Sequence, residues 1–169
     1  FQAYVDAVAQ FRVTVLDRSL LTLDPDQDTY YLMALSTDSA ARVVESISRG
    51  RSLAGSALRS GQFDAGSQRL LYAVWRDGQS AIELMQSHVA RAAEVLPDVA
   101  KRLKFDDALQ ASTNYLRTAE QAWFGAEFRN DQAAMDKVGQ QAVDALRATT
   151  ASAVSLLDER LAERIAGFE

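Results

Sequence analysis

The 169-residue chain is 48% hydrophobic and 24% charged with only 8 Gly and 2 Pro, a balance that excludes a disordered or collagenous chain and points to one folded, mostly helical domain. Its formal net charge is −5 with a pI near 4.9, and its basic residues are scattered among acids; this argues against a nucleic-acid footprint and against attraction to an anionic membrane surface. The absence of cysteine excludes a disulfide scaffold, a thiol nucleophile and a cysteine metal site, while leaving the compartment open.

The apolar residues follow a helical period throughout, with no alternating run long enough for a strand. A first helix is expected from about Tyr4 to Leu21, with Val8, Phe11 and Val15 on one face, stopping or kinking at Asp24-Pro25. The second should run from Pro25 to about Arg59. Asp24 is its natural N-cap, Pro25 suits the first helical position, and Gln27 can close a capping box. Its stripe is Leu32, Leu35, Val43, Ile47, Gly50, Ala54 and Leu58, and Ser60-Gly61 ends it.

Asp64 should cap a third helix that carries Leu71, Val74, Gly78, Ala81, Met85, Val89 and Ala92 on one face as far as Pro97. A fourth is expected from about Pro97 to Phe128 through Leu109, Ser112, Leu116, Ala119 and Trp123, followed by a turn at Arg129-Asn130-Asp131. The fifth should run from Gln132 to the end, with Met135, Val138, Ala142, Ala145, Thr149, Ala153, Leu156, Ile165 and Phe168 in period. The last four segments are about thirty residues each, on the order of 45 Å. The expected fold is therefore all-α: an up-and-down antiparallel four-helix bundle with an additional N-terminal helix, in a single domain over residues 1–169. Stripes rich in Ala, Ser and Gly bury little area per residue, which predicts modest stability and self-association.

The segment Leu23-Asp24-Pro25-Asp26-Gln27-Asp28-Thr29-Tyr30-Tyr31-Leu32-Met33 resembles a signature in the all-helical extracytoplasmic regions of bacterial transmembrane receptors, among them methyl-accepting chemotaxis proteins, sensor histidine kinases and diguanylate cyclases. Val43-Val44-Glu45-Ser46-Ile47-Ser48-Arg49-Gly50-Arg51-Ser52-Leu53-Ala54-Gly55 is similar to the amphipathic helix those regions carry next. The two likenesses span roughly Leu16 to Gly55; beyond Gly55 only the pattern of long helices is shared. The chain departs from the family in having Ala34 where an acid often follows the Met, and in lacking a Leu-Pro pair that often interrupts the next helix. The resemblance implies a periplasmic sensor domain of an inner-membrane protein that acts as a homodimer. It also implies that membrane spans and an output module lie outside these residues, which have no apolar run of membrane-spanning length, and that the chain is a fragment of a longer extracytoplasmic region.

Asp24, Asp26 and Asp28 alternate like the first ligands of a calcium loop, but the required glycine falls on Thr29 and the terminal glutamate on Leu35, so capping is the better reading. His88, the only histidine, has no acid or second imidazole at helical spacing and reads as a partly buried structural residue. No catalytic triad, phosphate loop, metal site or cofactor site is indicated. Tyr72, Trp75, Tyr115 and Trp123 read as core or rim. Tyr30 and Tyr31 differ by about 100° around a helix, so at least one should sit at a groove edge.

Only Lys101, Lys104 and Lys137 among 18 basic residues are lysines, and Arg is favoured where a planar fork must hold an acid. Arg42, Arg49 and Arg51 are therefore candidates, with Tyr30 and Tyr31, for binding a small ligand such as an organic anion. The plainer alternative is ion pairing with Glu45 or Asp38. Tyr31 and Arg49 lie about 27 Å apart along a straight helix, so one small molecule cannot touch both. The expected function is a ligand-sensing input domain, without enzymatic activity of its own, that binds a small molecule or a ligand-loaded periplasmic binding protein. The rival reading is a helical scaffold that binds partner helices, favoured by apolar residues on an outer face of the second or fifth helix.

Overall fold

The computed structural model describes residues 26–61 and 63–167, together with 7–8, 10–11 and 13–15. Among the described residues the chain is all-helical, with no strand. Six α-helices follow in order: α1 (Gln27–Ala34), α2 (Ala40–Ser60), α3 (Ala65–Ala93), α4 (Val99–Arg102), α5 (Phe105–Trp123) and α6 (Gln132–Ala166). Residues 7–8, 10–11 and 13–15 are helical too, but Val8, Phe11 and Val15 are exposed rather than packed on a stripe. The Asp24-Pro25 cap, the ends of the first expected helix and Phe168 lie outside the described residues.

Helix α1 begins at Gln27 and α2 ends on Gly61, whose φ of 64° is the left-handed conformation that glycine adopts without a Cβ penalty. Between α1 and α2 the expected continuous helix is interrupted by a π-helical turn over Leu35–Ser39. Hydroxyls crowd this turn: Ser36 Oγ donates to the carbonyls of Leu32 and Met33, and Thr37 Oγ1 donates to that of Met33. Side chains that compete for helix carbonyls in this way loosen the regular ladder, and a π turn accommodates the extra residue.

Helix α3 matches its expected face, since Leu71, Val74, Gly78, Ala81, Met85, Val89 and Ala92 are all buried, but it ends at Ala93, before Pro97. The cap at Asp64 forms as expected, accepting from the Ser67 amide, and the turn at Arg129-Asn130-Asp131 supplies another, with Asp131 accepting from the Ala134 amide.

The expected fourth helix is corrected at both ends. It breaks at Lys104, a non-glycine residue at φ 52°, and it stops at Trp123. The break has a packing cause. Leu103 and Phe105 would lie about 200° apart on one helix, whereas the left-handed residue between them lets both be buried, at 0% and 5% exposure. That burial offsets a backbone cost of about 1–2 kcal/mol. Leu58 and Ile165, placed on the inner stripes by period alone, are exposed.

The α1–π–α2 rod packs against α3 and α6, and α5 packs against the same two helices. Gln27 Nε2 reaches the Arg91 carbonyl and Glu94 at one end. At the other end, Phe63 after α2 stacks on Phe128 before α6, with ring centroids 3.9 Å apart. The core is tight where side chains are small. A Cβ at Gly50 would stand 2.7 Å from the Trp123 ring, and one at Gly78 would stand 2.5 Å from Ser46 Oγ. Tyr115 and Trp75 hold the interior by donating to the carbonyls of Ile47 and Leu116. No helix among the described residues is long and apolar enough to cross a membrane.

Candidate functional site

The described part of the segment that resembles the receptor signature opens α1, and its Asp26 and Asp28 reach across the molecule. Asp28 is 4% exposed. Its Oδ2 accepts from Arg160 Nε at 2.8 Å and its Oδ1 from the Thr29 amide at 2.9 Å. Two residues earlier, Asp26 accepts from Arg164, while its carbonyl accepts from the Thr29 hydroxyl. Arg160 also pairs with Glu163, and the hydrogen bond it donates to Asp28 is the main influence raising the guanidinium pKa above its ordinary value. The two acids thus form a double ionic clasp between the start of α1 and the last turns of α6, around a cleft of about 220 Å³. A carboxylate buried this far requires a paired, hydrogen-bonded cation, and Arg160 supplies it. The clasp is neither the capping nor the calcium ligation that the spacing of these acids suggests.

The two tyrosines of the segment divide as their angular separation requires. Tyr30 is exposed, Tyr31 is half-buried, and their rings meet edge to face at 5.1 Å. Tyr31 also lies against His88, with centroids 5.8 Å apart. His88 is half-buried, and its Nδ1 is 3.1 Å from Ser39 Oγ, at the end of the π turn. Burial lowers the imidazole pKa, and Asp38 opposes the shift more weakly.

Arg42 and Arg49 come together in one groove of about 620 Å³ between α2 and α3, with Asp38, Glu45 and Asp77 among its walls. Each arginine pairs with the acid four residues before it, Arg42 with Asp38 at 2.7 Å and Arg49 with Glu45 at 3.7 Å. These are exposed i,i+4 pairs of little energetic weight, so a ligand of suitable charge can compete for either guanidinium. Ser46 forms the floor, donating to the Val74 carbonyl at 2.8 Å opposite Gly78.

Arg51 is elsewhere, at the α2–α6 interface. Its Nε and Nη2 both reach Asp136 Oδ1, at 2.8 and 2.7 Å, and its stem lies over Gly139. Asp136 also accepts from Gln132, which is linked through Asn130 to the indole of Trp123. This network reaches Tyr115, whose phenol pKa is pushed up mainly by burial, with Arg51 pulling it down and Asp136 adding to the rise.

The five candidate residues therefore fall in three places: Tyr30 and Tyr31 near the clasp and the π turn, Arg42 and Arg49 in the α2–α3 groove, and Arg51 in an interhelical ion pair. Arg160 and Arg164 were not singled out from sequence, although their i,i+4 spacing is a signal that both could meet one partner surface. Among the described residues no group of three or more His, Cys, Asp and Glu is arranged to hold a metal ion. Comparison with known proteins finds no matching family model, no similar curated protein and no similar solved structure.

Proposed function

We propose that this chain is the extracytoplasmic, ligand-sensing input domain of a bacterial transmembrane signal-transduction receptor, of the chemotaxis-receptor or sensor-histidine-kinase kind. The observation that carries the reading is the clasp. The segment that resembles the receptor signature uses Asp26 and Asp28 to grip Arg164 and Arg160 in the last turns of α6, the helix that would lead towards a membrane span in the parent. A ligand that shifts the α1–π–α2 rod would displace α6 through this contact, as a small piston or rotation. The neighbour relations of the long helices support an up-and-down antiparallel four-helix bundle, to which the sequence adds an N-terminal helix. In the α2–α3 groove a small organic anion would bind Arg42 or Arg49 by displacing Asp38 or Glu45 from it, and a periplasmic binding protein is the alternative partner. In the parent the domain works as a homodimer, and the output chemistry belongs to another module.

The test is to measure signalling output of the full-length parent with wild-type Arg160, Arg160→Lys, Arg160→Ala and Asp28→Asn. Arg160→Ala and Asp28→Asn should fix the output at one level irrespective of stimulus, with Arg160→Lys intermediate. Wild-type output from all three variants, or a parent without membrane spans, refutes the reading. A second reading, a scaffold that binds partner helices, is favoured by one observation: Leu58 on α2 and Val154 and Ile165 on α6 are exposed, at 49%, 47% and 65%.

A further inference from the structure

A groove of about 510 Å³ lies between α3 and the end of α5, lined by Gln68, Arg69, Tyr72, Trp75, Glu120 and Phe124. It shares no residue with the clasp or with the Arg42–Arg49 groove. Residues 68, 72 and 75 follow one face of α3, and Glu120 lies in the last turn of α5 with Phe124 just past its end.

Three aromatic rings define its wall. The centroids of Tyr72 and Trp75 are 5.9 Å apart, and each is 5.8 Å from that of Phe124. The triangle is nearly equilateral, and its centre is about 3.4 Å from each corner by that geometry. A cation about 4 Å above the centre would lie within roughly 6 Å of all three centroids; the Tyr72 and Trp75 planes are 34° apart, and the Phe124 ring stands at 74° and 72° to them. The wall is held in place from beneath, because the Trp75 indole is buried and donates to the Leu116 carbonyl at 3.0 Å. Tyr72 is 52% exposed and opens the wall to solvent.

The lining carries one charge of each sign, Arg69 and Glu120, and they are placed differently. Arg69 is turned back along its own helix, with Nε donating to the Ala65 carbonyl at 3.1 Å. The Glu120 carboxylate has no hydrogen bond or ion pair among the described residues, which leaves an acid at the edge of an aromatic wall. The geometry points to a binding site for a small organic cation of the alkylated-ammonium class. Alkyl groups on the nitrogen weaken its hydration and are removed from water by the rings, while the positive charge meets the aromatic wall and Glu120. An anion would meet repulsion from Glu120, while the nearest cation, Arg69, is turned back along α3. The site stands independently of the receptor reading.

The experiment is a nuclear magnetic resonance titration of the protein with choline chloride and with 3,3-dimethylbutan-1-ol, which has the same shape without the charge, at constant ionic strength. Choline should give saturable shifts of the Trp75 indole and of the Tyr72 and Phe124 ring signals, and the neutral alcohol should bind at least about fivefold more weakly. Glu120→Gln should weaken choline about fivefold while leaving the alcohol unchanged, and Tyr72→Leu should weaken choline about tenfold. Both substitutions fall on exposed side chains, and circular dichroism confirms that the variants are folded. Equal affinity for choline and the alcohol, indifference to Glu120→Gln, or no shift of the three rings at about 0.1 M choline overturns the assignment and leaves the rings as a cover for the core.

Discussion

Gly78→Ala tests the closest helix approach directly. The new Cβ would stand 2.5 Å from Ser46 Oγ, 3.1 Å from Leu116 Cδ2 and 3.3 Å from Ser46 Cβ. Ser46 is 5% exposed and its hydroxyl bonds the Val74 carbonyl, so to clear the methyl it must rotate and give up that bond inside the core. Overpacking costs roughly 1–3 kcal/mol and the lost hydrogen bond about 1 kcal/mol. Alanine regains about 1 kcal/mol over glycine in helix propensity. The net effect should be a destabilisation of about 2 kcal/mol, or a fall in Tm of roughly 4–8 °C for a domain of this size.

Ser46→Ala removes the colliding oxygen, so the double variant Ser46→Ala/Gly78→Ala keeps only the tighter Cβ contact. It should lie about 1 kcal/mol below wild type, well short of the sum of the two single effects. Urea unfolding of all four proteins closes the cycle. A Gly78→Ala variant as stable as wild type, or additive single effects, would refute the account of α2–α3 packing.

Gly50→Ala should cost more, about 2–3 kcal/mol, because its methyl meets the buried ring of Trp123 and the Tyr115 hydroxyl rather than a rotatable oxygen; urea midpoints and near-ultraviolet circular dichroism read the loss. Ser112 is 0% exposed and its hydroxyl has no hydrogen-bond partner among the described residues, so Ser112→Ala should raise stability by about 0.5–1 kcal/mol in thermal unfolding. The His88 imidazole binds its proton less readily in the fold than in the unfolded chain, chiefly through burial. Protonation therefore favours unfolding. Stability should hold above about pH 6.5 and decline as the pH falls below it, and His88→Gln should flatten the urea-midpoint profile between about pH 7.5 and 5.5.

Much of the fold was legible because local chemistry decided it. The inner face of α3 follows from the uniform spacing of Leu71 to Ala92, and the starts of α3 and α6 follow from Asp64 and Asp131, whose carboxylates need only an amide three residues on. What the chain hides is set by contacts distant in sequence. Lys104 looks like an ordinary helical lysine until Leu103 and Phe105 must both be buried. The partners in Asp28–Arg160 and Arg51–Asp136 stand 132 and 85 residues apart, beyond any periodic pattern. The candidate arginines were visible as forks seeking acids, but their allocation was not. Arg42 and Arg49 found acids four residues away on their own helix, while Arg51, two residues beyond Arg49, points to another helix.

The π turn over Leu35–Ser39 also keeps the rod in phase. It takes up one residue more than the α-helical turn it replaces, so a chain with one residue fewer in this turn would run on as regular α-helix and still present α2 as it does now: Asp28 would hold α1 to α6, and Ile47, Gly50 and Ala54 would stay in the core. A residue removed from α2 before Arg42 has no such slack. An α-helix advances about 100° per residue, so the rest of α2 would turn by about that angle and carry Arg42 and Arg49 out of the α3 groove. A related sequence shorter by one residue within the π turn can therefore keep its arginine positions, whereas one shortened between the turn and Arg42 would have to change them in step.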